Sequence, residues 1–320
     1  MSLENKLLIA GSGILIGGIL FFTNPFQQED KFKIHGLHSE DIEIIKLLNK
    51  HTGYFDLNHE RGVIQYKKSE LPSPRQTAGK TYLLMINSND EPIDTSGAGR
   101  FYRNIKLGYE TFRSIGVKDE NIYILQKNNS PKRKFGNADK KSIELAFSEL
   151  EKRVSQNDLF IFYITQHGFN RDDAGSTFSL DKKNEIGYKE IKGYLEKIKS
   201  NFTFAFLPPC QSYDGAMEIC DYKTIVMTAT GHEFNAIGGF SRNFFNAARR
   251  YGKDKNLKEL FYEAVNDDAY TAPLFYENSV NKDSWKEEGL ERIKNRGWRK
   301  ETPHLITPAD PSKIYLVKNN

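Results

Sequence analysis

NFTFAFLPPCQS, Asn201–Ser212, is the stretch that decides the fold class. Phe202 through Leu207 are aromatic, β-prone and hardly interrupted by polar residues, the pattern of a strand buried on both faces inside a sheet. Pro208 and Pro209 end it, because proline lacks the amide hydrogen that a ladder needs. Cys210 therefore stands at the carboxyl end of an interior strand. In open α/β sheets that is the edge where ligands bind and chemistry is done.

Outward from this stretch the same design repeats. Tyr82–Asn87, Asn121–Leu125, Leu159–Ile164 and Thr224–Thr228 are further short apolar runs that predict strands. Between them, helical spacing predicts helices over Phe101–Ile115, closed by Gly116, over Lys140–Val154, over a segment ending near Ile198, and over Ser241–Arg250. Phe178–Leu180 and Ile186–Tyr188 predict a hairpin around Lys182–Asn184. Strands alternating with helices at this spacing predict an α/β fold of three layers, a mostly parallel central sheet with helices on both faces.

The amino-terminal part has another character. Leu7–Phe22 is an uninterrupted run of apolar and small residues, long enough with its flanks to span a bilayer. It lacks the small-x-small site of a cleaved signal peptide, so an uncleaved transmembrane helix is expected. Gly13 and Gly17 give it a GxxxG spacing. Charge does not fix its orientation, since Lys6 beside Glu4 stands on one side and Lys31 and Lys33 on the other; a single-pass membrane protein with the short amino terminus inside and the main domain on the extracytoplasmic side is the expectation. The chain divides into an anchor, 1–26, a stalk or amino-terminal extension, 27–79, and a main domain, 80–320. Within the extension, Ser39 to Leu48 predicts a short amphipathic helix, and Leu71–Gly79 reads as a linker.

Composition excludes several classes. A formal charge of +4 over 320 residues argues against a nucleic-acid partner. The one tight basic cluster, Lys132–Lys134, falls in a polar loop and reads as a solvated turn. Two cysteines, Cys210 and Cys220, cannot make a disulfide framework. They leave open a single bridge or one reactive thiol beside an inert one. Cys210, Cys220, His167 and His232 lack the paired short intervals of a zinc site, and no compact acidic loop for calcium is present, so neither metal nor organic cofactor is expected.

The chemistry-bearing residues sit at two strand ends. His167 follows Leu159–Ile164 and Cys210 follows Phe202–Leu207. If those strands are parallel neighbours, both side chains emerge at one edge of the sheet. A free thiol, with a reference pKa of about 8.5, needs a base or a positive field to attack a carbonyl. An imidazole supplies the base and then protonates the leaving amine. Gly168 carries no side chain to block close approach, so its amide and that of Cys210 form a candidate oxyanion hole.

At these residues the chain resembles a known group. FIFYITQHG is similar to the histidine-glycine block, and FAFLPPCQS to the cysteine block, of the caspase-like cysteine peptidases. Within them the nearest likeness is to the legumain family, including the catalytic subunit of glycosylphosphatidylinositol transamidase. YLLMINSND with FYRNIKLGYETFRSIGVKDENIYIL resembles the family's first strand, helix and second strand, and TPHLITPADPSKIYL its closing strand. The likeness covers about Lys80–Val317. It implies a caspase-like fold and a cysteine endopeptidase acting on peptide or protein substrates, with His167 and Cys210 as the catalytic dyad. A transamidase that resolves the same acyl-enzyme with an amine, and a catalytically silent scaffold, are the alternatives.

The resemblance also assigns a substrate pocket. Arg103 matches an arginine that contributes to the pocket for the residue before the cut, and Glu233 is the nearest acid to balance it. Many relatives carry an acidic residue two positions before the nucleophile, where this chain has Pro208. The asparagine that supports the histidine in the family falls near Phe101, leaving Asn104 or Asn170 as substitutes.

Overall fold

Aromatic and β-branched runs only five to seven residues long, bounded by polar turns, form the central strands. The computed structural model describes residues 58–60, 63–65, 79–88, 99–127, 136–171, 175–180, 184–210, 212–221, 223–229, 239–265 and 303–317. The expected membrane anchor, the Ser39–Leu48 helix and most of the Leu71–Gly79 linker lie outside the described residues. Among those described, no helix is long and apolar enough to cross a membrane.

In chain order the elements are β1 (Asn58–Glu60), β2 (Val63–Gln65), β3 (Thr81–Asn87), α1 (Gly99–Ser114), β4 (Ile122–Gln126), α2 (Lys140–Arg153), β5 (Leu159–Ile164), β6 (Gly168–Arg171), β7 (Gly175–Ser179) and β8 (Glu185–Gly187). They continue with α3 (Tyr188–Lys197), β9 (Phe202–Leu207), α4 (Ser212–Ile219), β10 (Thr224–Thr228), α5 (Gly239–Tyr251) and β11 (His304–Thr307). Residues 257–265 are also helical.

The main sheet has eight strands in the order β1-β2-β11-β10-β9-β5-β3-β4. Its centre, β4-β3-β5-β9-β10, is parallel throughout, with β11 antiparallel to β10. Two short strands from the 27–79 segment complete the far edge, β2 pairing parallel with β11 and β1 antiparallel with β2. The predicted hairpin exists as β7 and β8, joined by β6 into a second, three-stranded antiparallel sheet.

Alternate residues of the parallel strands feed two cores, as the period of two requires. On one face Leu84, Ile86, Phe160, Phe162, Ala205 and Leu207 pack with α2, α3 and α4. On the other, Leu83, Met85, Ile161, Tyr163, Phe204 and Phe206 pack with α1, α5 and the helical residues 257–265. Phe206 is the centre of an aromatic cluster, with ring centroids 5.1 to 5.9 Å from Tyr163, Phe240, Phe244 and Phe245. Strand β9 is thereby clamped four residues before Cys210. Local chemistry sets the helix ends: the Asp139 carboxylate caps α2 by accepting from Ser142 N–H at 2.8 Å, and Gly116, at φ 109°, turns the chain after α1 where a side chain would be strained.

Order within the parallel strands reverses between β3 and β5, since the chain passes from β3 outward to β4 and then returns to β5 on the other side. At such a switch point the connections leave in opposite directions and open a crevice at the carboxyl edge. Ser88 follows β3, His167 follows β5 and Cys210 follows β9, so three strand ends converge there.

Candidate active site

Strands β5 and β9 are parallel neighbours, with Tyr163 in register with Phe206. His167 and Cys210, a few residues beyond, therefore emerge at the same edge. The closeness of their backbones is measured by Gly168: a Cβ built on it would overlap the Cys210 carbonyl oxygen and lie 2.9 Å from Cβ of Pro209. Only glycine fits that approach. Both His167 and Cys210 are partly exposed, accessible from solvent yet held by buried neighbours.

The amide of Gly168 points out of the small sheet. Ser179 N–H donates to His167 O at 3.2 Å, so His167 and Ser179 form a hydrogen-bonded pair of the antiparallel ladder. Such pairs alternate with non-bonded ones, and Gly168, opposite Phe178, is of the second kind. Its N–H is thus directed away from β7. Strand β6 is the outer strand of the small sheet, so that direction is its open edge.

A buried polar clamp holds the histidine segment. Gln166, 4% exposed, accepts the His167 N–H on Oε1 at 2.8 Å and donates from Nε2 to the hydroxyl of Ser88. Ser88 in turn donates to Ser179 O at 2.6 Å. Two side chains, Gln166 and Ser88, thereby tie the ends of β3, β5 and β7 across the crevice. Replacing Gln166 by alanine leaves buried partners without their bonds, and it is expected to lower the unfolding free energy by about 1–3 kcal/mol, read from urea denaturation.

The other wall comes from the first turns of α1. Arg100, Phe101 and Asn104 line a small cavity with Thr165, Gln166, Pro208, Cys210 and Ser241, of about 10 Å³, room for a single water-sized probe. The Phe101 ring meets the His167 imidazole edge to face, centroids 5.2 Å apart, and the Arg100 guanidinium lies 4.7 Å from the same ring on α1. Beneath, Tyr163 is fully buried, and burial, only partly offset by the polar groups of Thr165, Ser241 and Asn104, holds its phenol well above the usual tyrosine range. The floor is therefore polar but uncharged at neutral pH.

No protein-family model matches this chain, and no curated protein matches it.

The residues expected to form the site separate into three groups. His167, Gly168 and Cys210 come together as described. Arg103 is exposed on α1 and does not line the Cys210 cavity; Arg100, about one turn earlier, does. Glu233 lies outside the described residues, as do His232 and the side chain of Asn170. Of the two substitutes for a supporting asparagine, Asn104 is buried and lines the cavity, while Phe101 itself touches the imidazole. Cys220 is a free thiol packed against the core beside α4, and Cys210 is free as well, so the two are not bridged. Among the described residues no group of three or more His, Cys, Asp or Glu converges to hold a metal ion.

Gln166, Ser88 and Arg100 are the residues that sequence reasoning passed over. Gln166 had one signal, a polar residue directly between a buried strand and a candidate catalytic histidine. Ser88 had none.

Proposed function

We propose that this chain is a membrane-anchored cysteine endopeptidase with a caspase-like fold, using His167 and Cys210 to cleave peptide bonds. The observation that carries the reading is the contact of Gly168 with the Cys210 carbonyl, which brings a histidine-glycine pair and a free thiol together at a switch point of a parallel sheet. The sheet with helices on both faces, and the carboxyl-edge location, are consistent with the family that the two motifs resemble.

In this reading His167 takes the proton from the Cys210 thiol as sulfur attacks the scissile carbonyl. The carbonyl oxygen becomes an oxyanion that accepts from the amides of Gly168 and Cys210. His167 then gives its proton to the leaving amine, and the carbon–nitrogen bond breaks to leave a thioester on Sγ. Water, deprotonated by the same imidazole, adds to the thioester and releases the acid and the thiol. Arg100, rather than Arg103, borders Cys210, at a cavity with room for one water and not for a side chain, so it favours a negative charge on the residue before the cut through its field. The positive end of α1, in whose first turn Arg100 lies, favours the same negative charge.

Alkylation tests the activation directly. Iodoacetamide is expected to modify Cys210 on the order of tenfold faster than it does in His167→Ala, with Cys220 unaffected by that change. Equal Cys210 rates in the two proteins would contradict an imidazole-activated thiol.

A further inference from the structure

A second cavity lies on another flank of α1, between that helix and β4, the end strand of the main sheet. It measures about 230 Å³ and shares no lining residue with the cavity at Cys210. Spacing on the helix explains its one wall: Tyr102, Ile105, Lys106, Tyr109, Glu110 and Arg113 fall at i, i+3, i+4, i+7, i+8 and i+11, a single stripe. Ile124 and Gln126, two apart in β4 and so on one face of the sheet, form the other. Ile105 and Ile124 are buried and apolar. Gln126 is the exception on that inner wall, 2% exposed, with an Oε1 that finds no hydrogen-bond partner among the described residues. A buried amide oxygen without a donor is costly, and native proteins hold few of them. At the rim the charges are matched, Lys106 Nζ lying 4.0 Å from Glu110 and Arg113 Nε 2.9 Å from Asp119.

We infer that this cavity is a binding site for a small neutral aromatic molecule, of up to two fused rings, that donates one hydrogen bond to Gln126 Oε1. Size sets the class. An apolar cavity of about 150 Å³ takes benzene, and drug-sized ligands need roughly 300 Å³ or more, so the volume here suits a two-ring fragment. Tyr102 and Tyr109 stand two helical turns apart, about 10 Å along α1, with Ile105 between them. A flat apolar guest therefore meets aromatic and aliphatic surface along its length. Its N–H or O–H gives Gln126 the missing partner. Water fits less well, because an ordered water needs two to four polar partners and the inner wall sets Gln126 beside Ile105 and Ile124. Since each rim cation already has an acid beside it, no charged group is called for on the ligand. No residue of the His167–Cys210 site takes part, so the cavity binds whether or not the chain cleaves peptides.

The test titrates indole and 1-methylindole into full-length protein in mild detergent, with the isoleucine methyl groups labelled and followed by NMR. Indole has two fused rings and one N–H donor; 1-methylindole keeps the rings and lacks the donor. Indole is expected to shift the methyl signals of Ile105 and Ile124, assigned through Ile105→Val and Ile124→Val, with a Kd on the order of 1 mM or below. Those of Ile161 and Ile225, in the core of the central strands, should stay in place. 1-Methylindole should bind about tenfold more weakly. Gln126→Met, which keeps the length of the side chain and removes the acceptor, should bind the two compounds alike. Absence of a saturable shift at Ile105 and Ile124, equal affinity of wild type for the two compounds, or a preference for indole that persists in Gln126→Met would each overturn the inference.

Discussion

Replacing Cys210 by alanine is expected to remove peptide cleavage almost entirely, by roughly 10⁴-fold or more, because no other group in the site can form the thioester. Removing one atom from a partly exposed turn position should change stability by no more than about 1 kcal/mol. Folding and turnover thus separate, which circular dichroism and a peptide assay on the same sample would show. Cys220 supplies the matched control. It is a free thiol in the same chain, packed against the core beyond α4 and away from the switch-point crevice. Cys220→Ala should therefore keep activity. Full activity in the Cys210 variant would remove the mechanism, and loss of activity in the Cys220 variant without loss of fold would mean that the wrong thiol has been assigned.

Gly168→Ala is the second large effect. The added methyl would overlap the Cys210 carbonyl oxygen and press on Pro209, and the obstacle is backbone, so no rotamer change relieves it. Either β6 or the turn carrying Cys210 must move. Overpacking of this kind costs about 1–3 kcal/mol of stability. Its effect on catalysis is larger in proportion, since a displacement of about 1 Å at reacting groups lowers turnover by about 100-fold. The same displacement withdraws the Gly168 amide from the oxyanion, so the loss should appear in kcat. Gly187→Ala is the comparison: a Cβ there meets nothing within 4 Å, at the N-cap of α3, and the variant should keep the wild-type kcat while losing the small stability that alanine costs at an N-cap. A Gly168→Ala enzyme with unchanged kcat would show that the close approach has no role in catalysis.

Much of the fold was legible because its strands are buried on both faces. Leu159–Ile164 and Phe202–Leu207 stand in the sequence as unbroken apolar runs, and they form β5 and β9 over those same residues. Strand β6 was not legible: GFNR has neither an apolar run nor alternation, and it exists because its backbone pairs with β7. Helix α4 was also missed, since its eight residues follow the cysteine turn with no long apolar stripe. The hairpin β1–β2 is too short to announce itself and depends on the edge of β11, which lies far along the chain.

The site was legible to a different degree. Histidine and cysteine at strand ends could be paired from the sequence because parallel neighbours share an edge. The arginine could not be chosen by motif alone. Phe101, Asn104, Ile105, Gly108 and Phe112 mark the buried face of α1, and at about 100° per residue Arg103 falls nearly opposite while Arg100 borders that face one turn before Asn104. Helical periodicity places Arg100, and not Arg103, at the border of the buried face. The part played by Gln166 and Ser88 depends on a bond between residues 78 positions apart, which no local pattern encodes.

The most direct test of the central claim incubates full-length protein in mild detergent with a diverse peptide mixture, beside its Cys210→Ala variant, and reads the products by mass spectrometry. The account predicts new peptide termini with the intact thiol alone, preceded by a recurrent acidic residue, the charge that the field of Arg100 favours. Joined peptides in place of free termini would show that an amine, and not water, resolves the thioester. Identical product sets from the two proteins would contradict a peptidase that works through Cys210.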